Sequence, residues 1–107
     1  MKLIEIIGKT IVLYRAMSQQ EAEKTLRYKE PIFEKRFKWF SADLNFIKGR
    51  VQDGRFNNSA FVTDRYTRLL AFEIAEEDLK YFKVKRKELE LDRRKSGLVK
   101  WNKIWEI

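Results

Sequence analysis

Short apolar runs, each about one strand long, recur along this chain and are separated by turn residues instead of long linkers. Ile11-Val12-Leu13-Tyr14, Phe37-Lys38-Trp39-Phe40 and Tyr66 to Ile74 are rich in β-branched and aromatic side chains, which suit a pleated, half-buried surface. In the last of these Leu70, Phe72 and Ile74 fall on one face, and Leu98 to Ile107 alternates as a terminal strand after the Ser96-Gly97 turn. Leu3 to Ile7 and Thr10 to Arg15, joined by Gly8-Lys9, read as a strand pair or one bent strand. Gly54 to Ser59 reads as a polar turn region and Ala60 to Thr63 as a short strand.

Two segments have helical spacing instead. Ser18-Gln19-Gln20-Glu21 has the form of a capping box, and the helix it opens runs through Ala22, Leu26 and Tyr28 until Pro31 stops it. Leu44, Ile47 and Val51 share a face of a second helix that Ser41 or Asp43 caps and Asp53-Gly54 closes. Residues 76 to 95 carry two signals. Propensity would draw a helix from Glu76 to Lys95, but Phe82 and Val84 alternate with Lys83 and Lys85, and Leu89 and Leu91 with Glu88, Glu90 and Asp92. Two short strands around Arg86-Lys87 fit the alternation better. The sum is an α+β chain: one compact domain over residues 1–107, mainly antiparallel strands with two short helices.

Composition then narrows the chemistry. The chain of 107 residues contains neither cysteine nor histidine. Thiol nucleophiles, disulfides, histidine bases and nearly every zinc site are thereby excluded, and no Asp-rich loop of calcium-binding spacing occurs, so no metal is expected. Catalysis, if any, must use carboxylates, hydroxyls, lysine or arginine. The N-terminal run Met1 to Glu5 carries a glutamate and lacks a small-residue cleavage site, so it reads as strand and not as a signal peptide. No apolar stretch approaches a membrane span, and a cytoplasmic, reducing setting is the expectation. With 24 basic and 16 acidic residues the formal charge is +8, which favours anionic partners, although scattered lysines also serve solubility.

Against this background three polar intrusions stand out: Arg15 after its apolar run, Ser41 after Phe37 to Phe40, and the pair Glu88-Leu89-Glu90. Their order, with a capped helix after the first and another helix after the second, resembles the arginine-serine-glutamate branch of the ADP-ribosyltransferase fold from roughly Ile11 to the end. In that branch an Arg stands on the first core strand, Ser-Thr-Ser follows an aromatic strand, and Glu-x-Glu lies near the C-terminus. Here the middle element reads Ser41-Ala42-Asp43, so only its first serine is kept.

The resemblance implies an ADP-ribosyltransferase-like fold and transfer of ADP-ribose from NAD to a protein side chain or to nucleic acid. It implies that Arg15 contacts the NAD phosphate or ribose through its fork. Ser41 would hydrogen-bond the nicotinamide ribose or hold the glutamate in place. Glu90 would accept the ribose 2′-hydroxyl and stabilise the oxocarbenium-like charge, and Glu88 would orient or activate the acceptor, a glutamate there favouring arginine side chains. Tyr14 or Phe46 would stack on the nicotinamide. Such a compact basic enzyme suits a toxin or a phage-encoded effector.

Each residue also has a plainer role. Arg15 can pair with a carboxylate, Ser41 can cap a helix, and Glu88 and Glu90 can form a solvated helix face with Lys85, Lys87 and Arg94. Two other functions fit the same composition. One is a non-catalytic nucleic-acid module using Trp39, Phe56, Tyr66, Trp101 and Trp105 as stacking platforms. The other is a small inhibitor that docks an acidic partner through Lys80 to Lys95.

Overall fold

The apolar run from Ile11 to Tyr14 builds β1, Thr10–Met17, whose alternate residues serve two different cores. The structure, a computed structural model, describes residues 8–53 and 66–107. The expected strands at Leu3 to Ile7 and Ala60 to Thr63, the turn at Gly54 to Ser59 and the side chain of Phe56 lie outside the described residues. Leu13 and Met17 of β1 enter the main core, while Ala16, with Tyr14 beside it, packs against Ile47 and Leu69 in a second cluster.

Helix α1, Gln19–Tyr28, begins at Ser18, whose hydroxyl accepts the Glu21 N–H at 3.2 Å. Its other end is closed by Lys29 at φ 60°, whose N–H reaches the Thr25 carbonyl, with Pro31 just beyond. Strand β2 is Phe37–Phe40 and helix α2 is Leu44–Asp53. The cap of α2 is Asp43, whose Oδ1 accepts the Phe46 N–H at 3.1 Å. Ser41 is therefore not the cap, and its burial has another cause, described below.

Strand β3, Arg68–Ala75, is the spine of the first sheet, with Leu70, Ala71, Phe72 and Ile74 all inaccessible to solvent. The acidic stretch that follows makes only a six-residue 3-10 turn, Glu76–Tyr81, because the alternation at Phe82 takes over. Strands β4, Phe82–Lys85, and β5, Glu88–Asp92, then form an antiparallel hairpin around Arg86 (φ 57°) and Lys87. Period-two patterning overrode helix propensity here because Phe82 and Leu91, paired across the hairpin, are both buried in the core. A four-residue helix α3, Arg93–Ser96, capped by Asp92, leads to β6, Trp101–Glu106.

Two three-stranded antiparallel sheets result, in the orders β1-β3-β6 and β2-β5-β4. A single antiparallel bridge joins them: the Tyr14 N–H donates to the Ser41 carbonyl at 2.7 Å, and the Ser41 N–H returns to Tyr14 at 2.9 Å. Through it the strands run β4-β5-β2-β1-β3-β6, with a split between β2 and β1. The inner faces meet in an aromatic core, where Phe40 meets Phe72 edge-on at 5.1 Å and Phe82 at 5.7 Å, and stacks on Trp101 at 5.9 Å. Each such pair adds about 0.5–1.5 kcal/mol beyond the burial of its area. Among the described residues no helix is long and apolar enough to cross a membrane.

Candidate functional site

The split between the sheets is where charge enters the fold. Arg15 sits on the core-facing side of β1, in line with Leu13 and Met17, and has to be neutralised. Glu21, in the first turn of α1, does this: Arg15 Nε and Nη2 donate to its two oxygens at 2.7 and 3.1 Å, and Lys38 Nζ donates at 2.7 Å from β2. Arg15 Nη1 donates to the Trp39 carbonyl at 3.0 Å. The glutamate of the capping box is thus drawn away from the helix start to bind β1, α1 and β2 together, and only the serine half of the box forms.

Burial alone would raise the Glu21 pKa. The hydrogen bonds and charge of Arg15, with Lys38, outweigh it and hold this carboxyl below its ordinary value of 4.5. Lys38 is lowered from 10.5, first by burial and then by the charge of Arg15, with Glu21 opposing. Its ammonium also lies 5.5 Å from the centre of the Phe33 ring.

On the other side of the bridge, Ser41 is fully buried. Its hydroxyl donates to the Lys87 carbonyl at 2.6 Å and accepts the Asp43 N–H at 3.0 Å. It therefore ties the start of the α2 turn to the hairpin residue immediately before Glu88. Glu88 in turn meets Arg50 of α2 in a two-point ion pair, Nη1 to Oε2 and Nη2 to Oε1, both at 2.9 Å. Arg50 lies over the Phe46 ring, 4.4 Å from its centre.

These elements enclose a cleft of about 290 Å³ lined by Arg15, Ala16, Trp39, Ile47, Arg50, Tyr66 and Glu88. A second depression of about 610 Å³ shares Trp39, Arg50 and Glu88 with it, and adds Phe46, Lys85, Arg86 and Lys87. The two form one groove, with Glu88 and Arg50 at the junction. The smaller part lies at the low end of ligand-pocket sizes and has room for a nucleoside-sized group. Among the described residues, no group of three or more Asp or Glu gathers that could hold a metal ion.

Of the residues singled out in the sequence, Arg15 and Glu88 line the smaller cleft and Phe46 lines the larger. Tyr14 packs on the second hydrophobic cluster beside α2, and the Ser41 hydroxyl is engaged inside the fold. Glu90 shares a strand face with Glu88, yet it does not share the Arg15 cleft. It stands opposite Trp39 and Lys83, accepts a long 3.4 Å bond from Lys85 and lines a separate depression with Arg36, Phe37 and Asp92. The carboxylate that faces Arg15 across the cleft is Glu88.

Arg50 and Glu21 went unnoticed in the sequence as site residues. The Phe46–Arg50 pair was legible as neighbours one helical turn apart. The partnership of Arg50 with Glu88, 38 residues away, was not. Trp101, a candidate platform, belongs to the aromatic core instead. Comparison of the chain with protein-family models, with curated proteins and with solved structures returns no match, so the functional reading rests on the residues of this groove.

Proposed function

We propose that the chain is a mono-ADP-ribosyltransferase-like protein, in fold as in chemistry, that binds NAD in the cleft between β1, β2, β5 and α2. The observation that carries this reading is the adjacency of three strands distant in sequence. β1 brings Arg15, the end of β2 brings Ser41, and β5 brings Glu88, with Arg15 and Glu88 lining the same cleft. The cleft takes the nicotinamide-ribosyl half of the dinucleotide, and the larger depression leaves room for an acceptor.

Each residue has a defined task. Arg15 spends three N–H groups on Glu21 and Trp39 and keeps the rest for a ribose or phosphate oxygen. Arg50 aims Glu88, and each Glu88 oxygen retains a lone pair for the ribose 2′-hydroxyl. As the glycosidic C1′–N bond breaks, its electron pair leaves with nicotinamide, and positive charge grows on the ribose beside the carboxylate. The acceptor's lone pair then bonds to C1′ and its proton passes to Glu88 or water. Ser41 holds the hairpin from which Glu88 projects and is a positioning residue. Trp39 or Tyr66 offers a ring face to the nicotinamide. Glu90, outside this cleft, is left to its ion pair with Lys85.

The test is release of nicotinamide from labelled NAD by the wild-type protein, with Glu88→Gln and Glu90→Gln beside it. Turnover abolished by the first substitution and largely kept by the second supports the assignment. Absence of NAD cleavage with every acceptor offered removes the enzymatic reading.

A further inference from the structure

The larger depression has a wall that NAD chemistry does not require. Among the described residues β4 is the outer strand of its sheet, and the β4–β5 hairpin presents Lys83, Lys85, Arg86 and Lys87 as an exposed basic ribbon. Three of these line the depression. Their carboxylate partners are weak: Lys85 reaches Glu90 at 3.4 Å, Lys87 reaches exposed Asp43 at 3.9 Å, and Arg86 has no ion-pair partner among the described residues. Opposite them stand two aromatic rings, each already covered by a cation. The Lys85 ammonium is 5.1 Å from the Trp39 ring centre, and Lys87 is 5.7 Å from that of Phe46, a ring that Arg50, held by Glu88, also covers at 4.4 Å.

We infer that this half of the groove binds single-stranded nucleic acid, with the phosphates along Lys85, Arg86 and Lys87 and a base on Trp39 or Phe46. A ring capped by a mobile ammonium is a site where a base can replace the cation, and the displaced ammonium is then next to that nucleotide's phosphate. An acidic peptide would satisfy the ribbon but leave the ring faces unused. A duplex hides its base faces and cannot stack there. The chain's +8 charge adds long-range attraction for a polyanion. As the identity of the acceptor this rests on the transferase reading; as a binding site it does not.

The experiment is fluorescence anisotropy without NAD, using a short labelled single-stranded oligonucleotide of DNA or RNA, the matching duplex, and a polyglutamate peptide. The single strand is expected to bind most tightly, with a log–log salt slope near 0.7 per phosphate contacted. Arg86→Gly, which suits the positive φ of the turn, and Lys87→Ala should each lower that slope by about 0.7. Phe46→Leu should weaken binding on the order of ten-fold with the slope unchanged. Equal affinity for polyglutamate or duplex, or slopes untouched by the hairpin substitutions, would overturn the site. Nicotinamide release is measured separately on the same samples. Loss of NAD cleavage alone therefore counts against the transferase reading, and loss of strand binding alone counts against this one.

Discussion

The split between the two sheets holds two charge clusters, each built on a two-point Arg–Glu pair at 2.7–3.1 Å, and they differ in what surrounds them. Arg15, Glu21 and Lys38 form a closed knot: side-chain exposure is 14%, 16% and 7%, and one carboxylate serves two cations from two other elements. Arg50 and Glu88 form an open pair, at 14% and 24%, with cleft on both sides and exposed cations on the adjoining hairpin. Ion-pair geometry therefore does not separate scaffold from site. The surroundings do: Glu21 and Lys38 sit among β1, α1 and the Phe33 ring with only Arg15 of the knot reaching the cleft, and the Arg50–Glu88 pair stands where the two parts of the groove join.

The sharpest way to break this contrast is to remove the central carboxylate of the knot. Glu21→Gln leaves Arg15 and Lys38 close together with only the charge of Glu34 acting on Lys38, and is expected to cost about 3–5 kcal/mol, toward the lower end because the group keeps some solvent access. Denaturant unfolding monitored by tryptophan fluorescence measures it. A loss within experimental error would show that the knot is dispensable.

The open pair should fail the other way. On the proposed transferase reading, Glu88→Gln is expected to lower NAD turnover by about 10²–10³ while the unfolding midpoint moves little. If stability falls as far as it does for Glu21→Gln, Glu88 is scaffold and the two clusters are alike.

A smaller effect comes from the Ser41 bond. Ser41→Ala strips the Lys87 carbonyl and the Asp43 N–H of a buried partner, at about 1–3 kcal/mol. On the proposed transferase reading it should also slow turnover through the position of Glu88, with kcat affected more than KM. An unchanged kcat would confine Ser41 to stability.

Acid probes the knot more gently than a substitution does. The folded pKa of Glu21 is lowered from 4.5, so its contribution is complete above that pH and is lost as pH falls through the folded value. Lys38, also lowered, has the same sign at the alkaline end: the folded state binds fewer protons, and stability rises as pH climbs from its folded pKa toward 10.5. Unfolding midpoints measured against pH in wild type and Glu21→Gln should diverge above pH 4.5 and converge in stronger acid. Curves that stay parallel throughout would remove Glu21 from the acid transition.

Much of the scaffold could be read in the chain because local rules and burial agreed. The hairpin at Phe82 to Asp92 is the clearest case, its alternation outweighing the helix propensity of its Glu and Lys residues. The spine β3 was legible from Leu70, Phe72 and Ile74. The caps were legible only in part. Asp43 and Ser41 both suit a helix start, and the cap is Asp43, which stands immediately before Leu44, while the Ser41 oxygen accepts the Asp43 N–H and its proton goes to the Lys87 carbonyl, 46 residues away.

The two glutamates mark where the sequence stops. Period two puts Glu88 and Glu90 on one face of β5, and nothing in the chain ranks one above the other. The ranking comes from what each faces: α2 supplies Arg50 to Glu88, and β4 supplies Lys85 to Glu90. Arg15 shows the same limit, since its need for a counter-charge was readable but the choice of Glu21 was not. The sequence by itself determined the strands of the described residues, the start of α1 and which polar residues interrupt the apolar runs, because those depend on neighbours within a turn or a pleat. Only the tertiary structure decided which interruptions meet, because pairing across a split between two sheets depends on long-range packing that local patterns do not encode.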